Sequence, residues 1–212
     1  MMKHRFAKEF QQAAMKEMTE LEKRGTYQLV RKSEKSRVPL TWVFKYKFDI
    51  DGYLDKFKAR LCVRGDLQAT EQDTYAAILA TKTFRAIMAI AAAFDLEIYQ
   101  YDAGNAFVNS KLDDEIYTDC PDGFDQPGYC WQLKRALYGL KQAPVLWYRE
   151  LTTTLEELGL SPVSGVNCLY SNKHLIVFFY VDDIVVLCRS FLKTVSSSVR
   201  YRRLIQSTMI RM

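Results

Sequence analysis

The chain has 212 residues, 49% of them hydrophobic and 26% charged, a composition that supports a packed core and excludes a disordered tail or a collagen-like fibre. Thirty Lys and Arg against 25 Asp and Glu leave a net charge of +5, which points to a polyanionic partner only once the charge is located. Residues 31–64 carry ten basic side chains and four acidic ones, residues 95–126 carry nine acids and Lys111 alone as a base, and residues 189–212 carry six bases and no acid. The positive excess therefore belongs to the C-terminal tail, and the rest of the chain sums to −1 with a basic part followed by an acidic part.

From Phe6 to Arg24 the apolar positions Phe6, Phe10, Ala13, Ala14, Met18 and Leu21 recur at helical spacing, and Gly25 stands where a helix C-cap is expected. Residues 40–48 alternate aromatic with basic side chains, Asp51-Gly52 supplies a turn, and residues 53–63 extend again. This pattern predicts a β-hairpin with lysine on one face. The alanine-rich stretch 82–94 is apolar almost all round and predicts a buried helix, followed by a strand over Glu97–Ala103 that leaves Asp102 at its end. A second amphipathic helix is expected over 144–159, with Pro144 in its first turn, leucines at 146, 151, 155 and 158, and Gly159 as its stop. Leu175–Val181 and Ile184–Leu187 form a second predicted hairpin, with Asp182 and Asp183 on its turn. Helices mixed with hairpins favour an α+β class, a mainly antiparallel sheet backed by helices.

The five cysteines form no CxxC pair, and His4 and His174 are far apart, so neither a zinc site nor a disulfide framework is spelled out. A reduced, intracellular protein of the cytoplasm or nucleus is expected, with no secretion signal and no membrane association. Asp182-Asp183 has two readings. Adjacent acids in a tight turn are common surface chemistry, because Asp accepts turn geometry and resists burial. Alternatively they are hard oxygen ligands for a divalent metal, which needs a further carboxylate from elsewhere. Asp102 is the candidate, because the small residues Ala103, Gly104, Asn105 and Ala106 after it let a substrate approach the backbone.

Four blocks settle which reading to pursue: WVFKYKFDIDGYLDKFKARLCVRG (42–65), YDAGNAFVNSKLDDEIYTDCPDGF (101–124), LKRALYGLKQAPVLWY (133–148) and FYVDDIVVL (179–187). In this order they resemble the reverse transcriptase of copia-type (Pseudoviridae) retrotransposons over residues 24 to 190. The resemblance implies a fingers hairpin in the first block and a palm in the others. It makes Asp102, Asp182 and Asp183 the catalytic carboxylates that hold two Mg²⁺ ions, with Mn²⁺ as a substitute. It makes Lys58 and Arg60 the grip on the triphosphate, Phe107 the ring that excludes a 2′-hydroxyl, and Tyr138 and Gly139 the loop facing the nucleotide.

Read on their own, Lys58 and Arg60 are a solvated strand face, and Phe107, Trp147 and Tyr148 are core. Cys120, Cys130 and Cys168 are assigned to packing, since thiolates have no place in a magnesium site. The acidic part of the chain then reads as a cation-binding palm. The implied partners are an RNA or DNA template-primer and deoxynucleoside triphosphates.

Residues 1–23 are expected to form a separate N-terminal helix, and residues 191–212 an atypical basic tail, poorly ordered. The resemblance stops near Arg189, where family members continue into a primer grip and an RNase H domain, as expected of a copy truncated after the YVDD motif. The competing reading is an inactive relic that at most binds nucleic acid through its basic hairpin and tail.

Overall fold

The structure is a computed structural model that describes residues 4–68, 76, 78–189 and 210–211. In chain order its elements are α1 (Ala7–Lys23), β1 (Tyr27–Arg31), β2 (Arg37–Val38), β3 (Leu40–Phe48), β4 (Leu54–Val63), α2 (Thr81–Ala93), β5 (Glu97–Asp102), β6 (Lys111–Thr118), β7 (Tyr129–Arg135), α3 (Ala143–Glu157), β8 (Ser161–Pro162), β9 (Leu169–Ser171), β10 (Ile176–Tyr180), β11 (Asp183–Cys188) and β12 (Ile210–Arg211). Among the described residues every strand pairing is antiparallel except that of β2 with β6. The α+β class is as expected, but the strands divide over three sheets. No helix among the described residues is long and apolar enough to cross a membrane. The expectation of a poorly ordered tail falls on residues 191–209 and 212, which lie outside the described residues.

The chain forms two compact units. The first comprises Met1–Thr74 and Phe107–Leu146. Its helix α1 ends where the glycine signal placed the stop: Gly25 adopts φ +61°, its N–H bonds Glu22 O, and the Thr26 N–H bonds Leu21 O, a Schellman closure of the last turn. The aromatic face of the β3–β4 hairpin meets this helix, with the Phe10 ring 5.1 Å from Phe44 and 5.0 Å from Phe57. The alternation of the hairpin strands sends their basic residues to the opposite face.

A four-stranded sheet of order β1-β7-β6-β2 completes the unit. Tyr27 and Trp131 stack across it at 3.6 Å, over a core that includes Leu21, Leu61, Val63, Val108, Leu133 and Leu137. Ion pairs stitch its edge, Arg37 and Lys32 to Asp119 and Lys35 to Glu115.

The second unit comprises Tyr75–Ala106 and Trp147–Met212. Its sheet has the order β12-β5-β11-β10-β9-β8, with Val177, Phe178, Phe179, Ile184 and Leu187 buried, as are Trp147, Leu151 and Leu155 of α3. The α3 helix closes as α1 does, through Gly159 N–H to Glu156 O and Leu160 N–H to Leu155 O.

The expectation of a buried α2 fails. Only Ile87 and Ala91 are buried, while Phe84, Ile90 and Phe94 remain 43%, 43% and 61% exposed. One face of α2 packs on the sheet, as in the edge contact of Phe84 with Phe178 at 5.7 Å. The alanines of the other face reflect helix propensity, which alanine maximises without any burial.

Candidate functional site

The second unit places the three aspartates at one end of its sheet. Strands β5 and β11 are neighbours, and their register pairs Asp183 with Asp102 at one end and Cys188 with Glu97 at the other. Residues directly opposite in an antiparallel pair point to the same face, with Cβ atoms about 4.5–5.5 Å apart. The carboxylates of Asp102 and Asp183 therefore share one face at one strand end. The Gln100 side chain donates to Asp183 Oδ1 at 3.3 Å.

The turn differs from the sequence expectation. Tyr180 pairs with Asp183, so the hairpin closes through Val181 and Asp182, and Asp183 is the first residue of β11 rather than part of the turn. Val181 sits at φ +55°, a left-handed conformation that costs a β-branched residue of the order of 1–2 kcal/mol. Two bonds hold it there. The Trp147 indole N–H donates to Val181 O at 2.7 Å, from a side chain only 2% exposed, and the Ala103 N–H donates to Asp182 O at 2.8 Å. Trp147 is thus core, as expected, and also fixes the backbone beside the aspartates.

Asp102 and Asp183 are brought together, whereas Asp182 stands in the turn. No group of three His, Cys, Asp or Glu side chains close enough to hold a metal ion occurs among the described residues. Two facing carboxylates nonetheless suit a hard divalent cation, because magnesium takes one or two carboxylates and completes its shell with water and substrate phosphate. The wider acidic stretch has another role than the sequence implied. Glu115 and Asp119 lie in the first unit and pair with Lys35, Lys32 and Arg37, so the basic and acidic blocks partly neutralise each other there.

The first unit gathers the basic residues. Lys45 faces Lys58, Lys47 faces Lys56 and Val43 faces Arg60 across the hairpin. All of these but Lys56, together with Cys62, Tyr138 and Gly139, line a cleft of about 260 Å³. The Arg60 guanidinium lies 3.9 Å from the centre of the Tyr138 ring, and that ring meets Phe107 edge-on at 4.9 Å and 68°. Lys58, Arg60, Phe107, Tyr138 and Gly139 therefore form one connected group.

Close backbone approach locks the loop to the hairpin. The Val63 N–H donates to Tyr138 O at 2.7 Å. Gly139 adopts φ +89°, and a Cβ there would stand 2.1 Å from Val63 O; a Cβ on Gly65 would stand 1.9 Å from Gly139 O. Only glycine fits either position.

Sequence reading missed three residues of this cleft region. Lys45 and Lys47 were legible in the alternation of residues 40–48, which assigns them to the face of Lys58 and Arg60. Glu17 on α1 carried no such signal, being one charge among several on an amphipathic helix. Burial pushes its carboxyl above the usual range, opposed by the Leu61 N–H that it accepts and by the neighbouring charges of Arg60 and Lys58.

Residues 24–199 match the family described as "Reverse transcriptase (RNA-dependent DNA polymerase)", and the chain belongs to that family. The matched span runs past Ser190 into the tail. Within the family it sides with the copia-type class of retrotransposons. It is 36% identical over 188 residues to the "Retrovirus-related Pol polyprotein from transposon TNT 1-94" of Nicotiana tabacum, covering 82% of this chain and 14% of that polyprotein. It is 36% identical over 155 residues to the polyprotein of transposon RE2 of Arabidopsis thaliana, covering 68% and 11%. It is 27% identical over 186 residues to the "Transposon Ty1-NL1 Gag-Pol polyprotein" of Saccharomyces cerevisiae, covering 84% and 10%. The chain thus spans about one seventh or less of the length of these three relatives.

Proposed function

We propose that this chain is the fingers and palm of an intracellular RNA-directed DNA polymerase, extending a primer on an RNA or DNA template with deoxynucleoside triphosphates. The fingers are the β3–β4 hairpin and the palm is the sheet that carries β5, β10 and β11, within residues 24–190. The observation that carries the reading is the register of Asp102 against Asp183, with Asp182 in the adjoining turn, in a chain of this family.

In this reading Asp102, Asp182 and Asp183 are the catalytic residues and the ligands of two Mg²⁺ ions, for which Mn²⁺ can substitute. Bound there, the cations would supply acidification of the primer 3′-hydroxyl and neutralisation of charge on the triphosphate. The reaction joins the 3′-oxygen to the α-phosphorus, breaks the α–β bridge and releases pyrophosphate, the hydroxyl proton leaving to solvent. Val181, pinned by Trp147, holds the turn so that Asp182 and Asp183 leave the strand in fixed directions. Arg60 presents a planar fork and Lys58 a compact charge to phosphate oxygens. Phe107, braced by Tyr138, excludes a 2′-hydroxyl, and Gly139 keeps the loop close enough to the hairpin for Tyr138 to do so.

The test is template-directed incorporation of deoxynucleotide by the full chain in Mg²⁺, repeated with Asp183→Asn. Incorporation that disappears in the variant supports the reading. Absence of incorporation in the unaltered chain, or equal incorporation in both, overturns it.

A further inference from the structure

The ladder that pairs Asp102 with Asp183 ends at Glu97 and Cys188, five residues along each strand and so about 17 Å away at the usual strand rise. Beside that far end the second unit has another cleft, of about 250 Å³, to which Lys173, His174 and Arg189 all contribute. Leu175 and Leu187 line it as buried floor, 6% and 0% exposed. No carboxylate of the described residues lines it. None of the ion pairs found among the described residues uses any of the three basic side chains.

A hydrogen-bonded turn borders the cleft. Between β9 and β10 the Asn172 carboxamide oxygen accepts the His174 and Leu175 N–H groups, each at 2.9 Å, and its amide donates to Gly159 O at 3.3 Å. This fixes Lys173 and His174 at the lip. Arg189 arrives independently, as the residue after β11.

Two separate segments thus bring an ammonium, an imidazole and a guanidinium to one concavity with no acid among the described residues of its wall. Lysine supplies a point charge, arginine a two-pronged fork and histidine a ring N–H donor, which together match the several oxygens of a phosphate. We propose that this cleft is a second phosphate-binding site, separate from the carboxylate end of the sheet. It takes either a backbone phosphate of nucleic acid or the phosphate of a free nucleotide. The choice of phosphate over other anions rests on the polymerase reading above.

The test uses the full chain and the Lys173→Ala/Arg189→Ala double variant, with thermal melting to check that both are folded. Anisotropy of a labelled RNA–DNA duplex is titrated over a range of salt. In parallel, the His174 ring resonances are followed by NMR as inorganic phosphate or dATP is added to millimolar level. With a backbone phosphate in the cleft, duplex affinity falls about tenfold in the double variant, and the log–log salt slope drops by about two, one for each cation removed. With a free nucleotide phosphate there, duplex affinity is unaltered, while phosphate and dATP shift the His174 resonances in the unaltered chain and not in the double variant.

Unaltered duplex affinity and slope, together with unmoved His174 resonances, overturn the proposal. Asp183→Asn keeps the readouts apart. That variant retains the far cleft, so a failed polymerase reading appears as no incorporation by the unaltered chain or as equal incorporation by both, whatever the double variant does to binding.

Discussion

Asp183 lies directly across from Asp102 in the β5–β11 ladder, two like charges facing each other at a strand end. Such a pair destabilises a sheet by up to about 1 kcal/mol, and a native chain keeps it only where something other than stability is served. Neutralising one partner separates the two effects. Asp102→Asn or Asp183→Asn is expected to raise the melting temperature by about 1–3 °C while lowering nucleotide incorporation more than about 100-fold, since even partners outside the direct ligand set typically cost 10–100-fold. A melting temperature that falls in both variants contradicts the repulsion argument, and retained incorporation contradicts the catalytic one.

Gly139 and Gly65 sit against opposing backbone, so their substitution tests the lock between hairpin and loop. A methyl group at either position collides with a carbonyl oxygen, and at Gly139 the positive φ adds strain of its own. Each alanine variant is expected to lose about 2 kcal/mol or more of stability, because a backbone atom cannot give way as a side chain can. Urea denaturation reads this directly, as a lower midpoint with an unchanged slope. Gly123, whose added Cβ meets nothing within 4 Å but which also has positive φ, is the control for strain without collision and should lose distinctly less.

The stack of Arg60 on Tyr138, and of Tyr138 on the edge of Phe107, makes a further pair of variants informative. Tyr138→Leu removes the cation–π contact, worth about 0.5–2 kcal/mol, and with it the brace on Phe107. Deoxynucleotide KM is expected to rise several-fold, and discrimination against ribonucleotides to fall, because Phe107 is then free to swing. Tyr138→Phe keeps the ring and should preserve both. Equal discrimination in the leucine variant and the unaltered chain would show that Phe107 does not depend on Tyr138.

How far the sequence reveals this arrangement depends on whether a local rule decides each feature. The β3–β4 hairpin was legible because two strands of strict alternation flank Asp51-Gly52, and α1 because apolar spacing runs up to Gly25. The partner of Asp102 followed from no local rule and was reached only through the family resemblance. A register between distant strands follows from the packing of the whole second unit, and residue spacing holds no record of it. Sequence rules put both aspartates in the turn because Asp tolerates turns and valine does not. The structure places Val181 there instead, held by a tryptophan from another element. The exposure of α2 was hidden for a related reason, since alanine signals helix formation and burial alike. Net charge misled until its blocks were located, because Asp119 and Glu115 answer Lys32, Arg37 and Lys35 within the first unit.

Glu17 gives a pH-dependent test of the α1–hairpin contact. Its carboxyl is raised above the ordinary 4.5 by burial, with Arg60, Lys58 and the Leu61 N–H opposing and Glu20 adding to the rise. A group whose folded-state value is raised binds its proton more tightly when folded, so its stabilising contribution is complete below the ordinary value and disappears as pH climbs through the raised one. Glu17→Gln keeps an oxygen acceptor for Leu61 but cannot ionise. Melting temperatures of the two proteins, compared from pH 4 upward, should therefore diverge, the unaltered chain losing ground to the variant as pH rises past the ordinary carboxylate range. A difference that stays flat across that window means that Glu17 ionises in the folded protein as it does in water, and that its place beneath the basic hairpin costs the fold nothing.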